Sequence, residues 1–118
     1  MRIRIKLKDK EGFLDLDFVR GVSFPGTVLG LMFKSKRNAE ALLFDFKKQT
    51  ATAIHSFFVF FPFLAVWLSD KNEVIECRIV RPWTFHVKPK SKFTKLIEIP
   101  FNNRYKDNIQ TLVGERFK

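Results

Sequence analysis

Between Phe57 and Leu68 the chain places twelve consecutive apolar residues, Phe-Phe-Val-Phe-Phe-Pro-Phe-Leu-Ala-Val-Trp-Leu, with Pro62 near their centre. A membrane-spanning helix needs about 20 such residues, so the run is too short to cross a bilayer as a helix. Proline cannot donate to a β ladder, which divides the stretch into a strand from Ile54, a bend or bulge at Pro62, and a second strand at Phe63–Leu68. A strand with no polar alternation is buried on both faces, as in the middle of a barrel or a sandwich. Phe57, Phe58, Phe60, Phe61 and Phe63 cannot all point one way along a strand. A partner, a loop or a subunit must therefore cover the second side, or the patch is itself an interaction site.

The opening segment has the opposite pattern. Ile3, Ile5 and Leu7 alternate with Arg2, Arg4, Lys6 and Lys8, and Leu14, Leu16 and Phe18 alternate with Asp15 and Asp17. Both stretches read as half-buried strands. Asp9-Lys10-Glu11-Gly12 between them supplies turn residues. Closing the hairpin symmetrically pairs Leu7 with Leu14 and Ile5 with Leu16, and on the other face Lys6 with Asp15 and Arg4 with Asp17. Apolar partners and opposite charges then fall on separate sides, as cross-strand pairing prefers. A slip by one residue would set Leu7 against Asp15.

Further along, Gly21, Pro25, Gly26 and Gly30 predict an irregular passage, with Ser35 capping a single helical turn through Asn38-Ala39-Glu40. Ala41 to Phe46 is strand-like. Ser69-Asp70-Lys71-Asn72 is a turn, and Glu73 to Val80 alternates loosely as the antiparallel partner of the apolar strand. Phe93 to Ile99 is another strand, stopped by Pro100, and Tyr105 to Val113 predicts a short helix ending at Gly114. With no internal repeat or linker in 118 residues, these elements predict one all-β, β-dominated domain over residues 1–118. Its architecture is a small compact barrel or sandwich with one or two short helical turns. Hydrophobic residues make up 46%, including 15 Phe, which excludes a disordered chain and assigns the aromatic content to packing first.

The formal charge is +10, from 22 Lys and Arg against 12 Asp and Glu. Residues 81–118 alone carry 9 − 3 = +6. A surplus of this size attracts polyanions. The segment Val87-Lys88-Pro89-Lys90-Ser91-Lys92-Phe93-Thr94-Lys95 has no acidic residue within it. Lys88, Lys90, Lys92 and Lys95 are therefore candidates for phosphate contacts that read no sequence. The Arg2–Lys8 stripe, opposed by aspartates, reads as a solvated face.

Catalytic candidates are scarce. His55 and His86 lack a close ligand spacing, and the single Cys77 allows neither an intramolecular disulfide nor a cysteine-rich metal site. No G-x-S-x-G is present, and Gly26-Thr27-Val28-Leu29-Gly30 matches neither a Walker loop nor a dinucleotide fingerprint. No catalytic residue, metal site or cofactor is assigned. Trp83, after Arg81-Pro82, either packs under a turn or offers a ligand platform. The start of the sequence lacks the apolar stretch of a signal peptide, and a cytoplasmic protein is the expectation.

Several motifs, in their order, resemble the family catalogued as domain of unknown function 192. They are Gly30-Leu31-Met32-Phe33-Lys34, Ala41-Leu42-Leu43-Phe44-Asp45-Phe46, Ile54-His55-Ser56-Phe57 through Phe61-Pro62, and Val66-Trp67-Leu68. Lys95-Leu96-Ile97-Glu98-Ile99-Pro100 and Val113-Gly114-Glu115 look similar too, so the resemblance covers roughly Gly26 to Phe117. It implies a compact β-barrel-like domain whose biochemical role is unassigned. This chain departs from the family's pattern at Thr27, Phe60 and Leu64, where the family often has Arg, a basic residue and Asp. Of any shared polar site it would keep His55 and Lys34.

These observations predict a non-catalytic binding or accessory module, with His55, Lys34 and Trp83 as candidate ligand-binding residues. The first alternative is a sequence-independent polyanion (nucleic-acid) binder acting through Lys88–Lys95. A second is a metal-assisted hydrolase built on His55 and His86, and a third is peripheral membrane association through exposed Phe and Lys. Partner and oligomeric state are left open.

Overall fold

The computed structural model describes residues 1–8, 11–22, 37, 39–54, 59–84 and 86–114. Seven strands and one helix are built from them: β1 (Ile3–Lys6), β2 (Phe13–Leu16), β3 (Val19–Val22), β4 (Ala41–Thr50), β5 (Phe63–Leu68), β6 (Val74–Val80), β7 (Phe93–Pro100) and α1 (Lys106–Val113). A single 3-10 turn, Asn103–Tyr105, leads into α1.

β1 and β2 form the expected antiparallel hairpin, but in a register two residues from the symmetric one. Ile3 faces Leu16, Arg4 faces Asp15, Ile5 faces Leu14 and Lys6 faces Phe13. The shift is even, so every side chain keeps its expected face. Ile3, Ile5 and Leu16 are buried, while Arg2 pairs with Asp17 at 2.6 Å and Arg4 with Asp15 at 2.8 Å in the open. Lys6 turns instead to Glu73, 3.6 Å away. The physical reason lies in the loop. The tighter register would leave only Lys10 and Glu11 at the centre of a two-residue turn, where both need positive φ. The longer loop places the positive φ, +115°, on Gly12, which bears it without strain.

The other five strands form a sheet in the order β3-β4-β7-β5-β6. All neighbours are antiparallel except β3 and β4, which run parallel. β3 contains Gly21, so the passage expected to be irregular begins with a strand. At Gly21 a Cβ would lie 3.3 Å from the Met1 side chain, so the missing side chain admits a close approach. The two sheets meet at both ends. Lys6 N–H donates to the Asn72 carbonyl at 2.9 Å, the Met1 amino group donates to the Val19 carbonyl at 2.9 Å, and Val19 N–H returns a bond to Met1 at 3.0 Å. β1 thus bridges the start of β6 to the start of β3, and the sheet curls back on itself as a small β-barrel-like domain.

β5 occupies the bounds the apolar run predicts, and all six of its residues are buried. Leu64, Val66 and Leu68 join Ile5, Leu16, Ile97 and Ile99 in one core cluster. Tyr105 and Ile109 belong to the same cluster, with Leu112 and Val113 packed against it, so α1 lies on that side. Phe63, Ala65 and Trp67 point the other way, into a cluster with Leu42, Phe44, Val59, Phe61, Val87 and Phe93. The cover of this second face is therefore the chain's own connections, which bring in Val59, Phe61 and Val87. Of the strand expected before Pro62, the described residues show one antiparallel bridge, Ile54 to Val87. The helical turn expected at Ser35–Glu40 lies mostly outside the described residues, and Ala39 and Glu40 are not helical.

Turn and stop signals hold. At Ser69–Asn72 the Ser69 carbonyl accepts from Asn72 N–H at 3.0 Å, and Asn72 takes φ +62°. The Ser69 hydroxyl oxygen accepts from Lys71 N–H and Glu73 N–H, both at 3.2 Å. β7 ends at Pro100, and α1 stops at Gly114, whose φ is +64°. Among the described residues no helix is long and apolar enough to cross a membrane.

Candidate functional site: a basic connection on the covered face

From Cys77 to Ile97 the sequence holds Arg78, Arg81, Lys88, Lys90, Lys92 and Lys95 and no acidic residue. The structure threads most of this span, residues 81–92, as the connection from β6 to β7. It is pinned at its middle, where Val87 N–H donates to the Ile54 carbonyl at 2.9 Å and Ile54 N–H to the Val87 carbonyl at 2.7 Å. Lys90 N–H is fixed by the Glu76 carboxylate at 3.0 Å. Val87, Pro89 and Phe93 face inward while Lys88, Lys90 and Lys92 are exposed. Burial of the alternating apolar residues leaves the ammonium groups of these three lysines on the outside. Among the described residues none of the three makes a salt bridge.

Lys95 has a different role. Its ammonium donates to Asn72 Oδ1 at 2.7 Å and to the Asp70 carbonyl at 3.4 Å, tying β7 to the turn between β5 and β6. The topology adds two cations that the linear pattern did not single out. β4 breaks its register between Asp45 and Thr50 before Thr50 pairs with Phe93. Lys47 sits in that break at φ +66°, its N–H bonded to Asp45 Oδ1 at 2.9 Å. Exposed Lys47 and Lys48 therefore come to the start of β7, in the break between the Asp45–Lys95 and Thr50–Phe93 pairs. A Lys-Lys pair near the end of a strand was the available signal; its neighbour required the sheet order.

Trp83 lies at the head of the same connection, at φ +61° and 45% exposed. Its ring meets that of Phe60 edge-on, with centroids 5.9 Å apart, and Phe60 is 62% exposed. The pair is an aromatic surface open to solvent, in contrast to Trp67, which is fully buried under the Arg78 guanidinium at 5.8 Å. Lys34 and His55 lie outside the described residues, and His86 is exposed. Among the described residues no group of three or more His, Cys, Asp or Glu is placed to hold a metal ion.

A group missed by the sequence reading is Glu98. On β7, the middle strand of the sheet, it stands between Leu42 of β4 and Ala65 of β5. It is 7% exposed, and burial alone pushes its carboxyl up to about 8, so it is mostly protonated at neutral pH. One step away on the same face, the buried Trp67 Nε1–H has no hydrogen-bond partner among the described residues. In the linear pattern Glu98 was simply one residue of the strand Phe93 to Ile99. A lone carboxyl in Leu-Ile-Glu-Ile-Pro, an otherwise apolar stretch, was the signal.

No family model matches the chain. A UPF0127 protein of Pyrococcus horikoshii is 28% identical over 96 residues, 81% of each chain. A UPF0127 protein of Pyrococcus furiosus is 26% identical over 93 residues, 79% of this chain and 78% of the relative. Among solved structures, the fold is similar to that of a Sinorhizobium meliloti protein described as a suggested transcription regulator. The TM-score is 0.71 at 15% identity, over 91% of this chain and 82% of the other. A Novosphingobium aromaticivorans protein of unknown function matches with a TM-score of 0.67 at 12% identity, over 84% and 73%. The likenesses to solved structures bear on the fold, a small β-rich domain.

Proposed function

We propose that this domain is a binding module for nucleic acid or a comparable polyanion, engaged through the β6–β7 connection without sequence reading. The observation that carries the reading is the outward row of Lys88, Lys90 and Lys92 on a backbone held by the Ile54 and Glu76 contacts. Regularly presented ammonium groups on a fixed backbone match the repeating charge of a phosphodiester chain. Lys47 and Lys48 extend the row at the start of β7, and Trp83 with Phe60 adds a stacking surface at its head. The likeness to a suggested transcription regulator is compatible with such a partner, although at 15% identity it bears on the fold alone. We also propose that the chain belongs with its UPF0127 relatives to the family of unknown function 192 that its motifs resemble.

The test is fluorescence anisotropy with a labelled 12-nucleotide oligothymidylate at about 50 mM salt. Replacing Lys88, Lys90 and Lys92 together by Ala is expected to weaken binding more than tenfold. Replacing Arg2 and Arg4 by Ala, where Asp17 and Asp15 already balance the charge, is expected to leave it within twofold. Equal losses in both variants would mean that net charge rather than this connection is responsible. No binding by the parent chain would overturn the reading.

A further inference from the structure

A second basic feature lies at the other end of β7, where the chain leaves the sheet. Phe101, Asn102, Asn103, Arg104, Lys106, Ile109 and Gln110 line, with Arg37, a groove of about 610 Å³. That volume is in the range of small-molecule sites. Its floor is apolar, from Phe101 and Ile109, and its walls carry three cations and three carboxamides. Asp107, the acidic residue of α1, does not line it, and among the described residues Arg37, Arg104 and Lys106 make no salt bridge.

The walls are fixed in place. Asn102 Oδ1 accepts from Arg104 N–H at 3.1 Å, and Asn102 Nδ2 donates to the Ala39 carbonyl at 3.0 Å, which clamps the turn to the chain entering β4. The Arg104 guanidinium lies 5.2 Å over the Phe18 ring. Below them the Tyr105 hydroxyl donates to the Phe18 carbonyl at 2.7 Å and accepts from Ala41 N–H at 2.8 Å. An arginine held by an aromatic face and a backbone clamp loses little freedom when it binds an oxyanion.

We infer that this groove is a binding site for a small organic phosphate, its phosphoryl group met by Arg37, Arg104 and Lys106 and its organic part seated on Phe101 and Ile109. A phosphate monoester answers the two kinds of lining at once: a dianion for the three cations and an apolar body for the floor. Inorganic phosphate satisfies only the first, and benzoate brings a single charge to three cations.

The experiment is isothermal titration of the full chain with phenyl phosphate, inorganic phosphate and benzoate as probes. Phenyl phosphate is expected to bind at least tenfold more tightly than either of the others. Arg104→Gln and Lys106→Gln, both exposed positions, are each expected to weaken it about tenfold with unchanged melting temperature. The Lys88, Lys90 and Lys92 triple alanine variant is expected to bind it normally, which separates this site from the proposed polyanion surface. Equal affinity for all three probes, or phenyl phosphate binding untouched by both glutamine variants, would overturn the inference.

Discussion

Glu98 and Tyr105 are both polar groups in the interior, and they have opposite consequences. The Glu98 carboxyl keeps its proton up to about pH 8 when folded, while its ordinary value is 4.5. Its folded-state value is raised, so the folded chain binds the proton more tightly. Its contribution is fully present below about pH 4.5 and is lost as pH climbs toward 8. Glu98→Gln keeps the shape and removes the titration. In urea unfolding the variant should match the parent near pH 4 and exceed it at pH 9 by on the order of 4 kcal/mol. Parallel pH profiles would refute the assignment. Tyr105 instead is satisfied on both sides, by the Phe18 carbonyl and Ala41 N–H. Tyr105→Phe orphans both partners and should cost about 1–3 kcal/mol, read as a lower urea midpoint at unchanged slope.

The elements differ in how far local sequence determined them. β5 was legible because twelve apolar residues broken by a proline leave few choices, and its partner β6 follows through the Ser69–Asn72 turn. The faces of β1 and β2 were legible from alternation, but their register was not. Registers two residues apart bury the same side chains, and the loop decides between them through Gly12. β3 was hidden by Gly21 and by its parallel pairing with β4, a contact between distant segments. The hairpin's two faces make unequal contributions. Arg4 hydrogen-bonds Asp15 and with its charge holds that carboxyl below the usual range, yet both groups are exposed. Arg4→Ala should leave the thermal midpoint unchanged within experimental scatter. Ile5, fully buried in the barrel, should cost about 2–5 kcal/mol when replaced by Ala. Equal effects would mean that the charged face, not the apolar one, holds the hairpin to the sheet.

For the whole molecule, closure of the sheet by β1 and the cover of its second face by the chain's own connections turn a basic composition into a patterned surface. The acid-free Lys88–Lys92 stretch was legible as a candidate site because it is contiguous. That Lys95 is drawn into a turn, that Lys47 and Lys48 reach the start of β7, and that Arg37 lines one groove with Arg104 and Lys106 all depend on the topology. Glu98 escaped notice because its burial comes from what lies over the sheet. The central claim is that fixed lysines present a row of charges to a phosphodiester chain, and salt titration of oligothymidylate binding tests it most directly. With Lys47, Lys48, Lys88, Lys90 and Lys92 displacing counterions from a single strand, the logarithm of the affinity should fall with the logarithm of salt concentration at a slope of about −3.5. The triple alanine variant, which keeps Lys47 and Lys48, should show a shallower slope of about −1.5. A flat line for the parent chain, or the same steep line for both proteins, would contradict the claim.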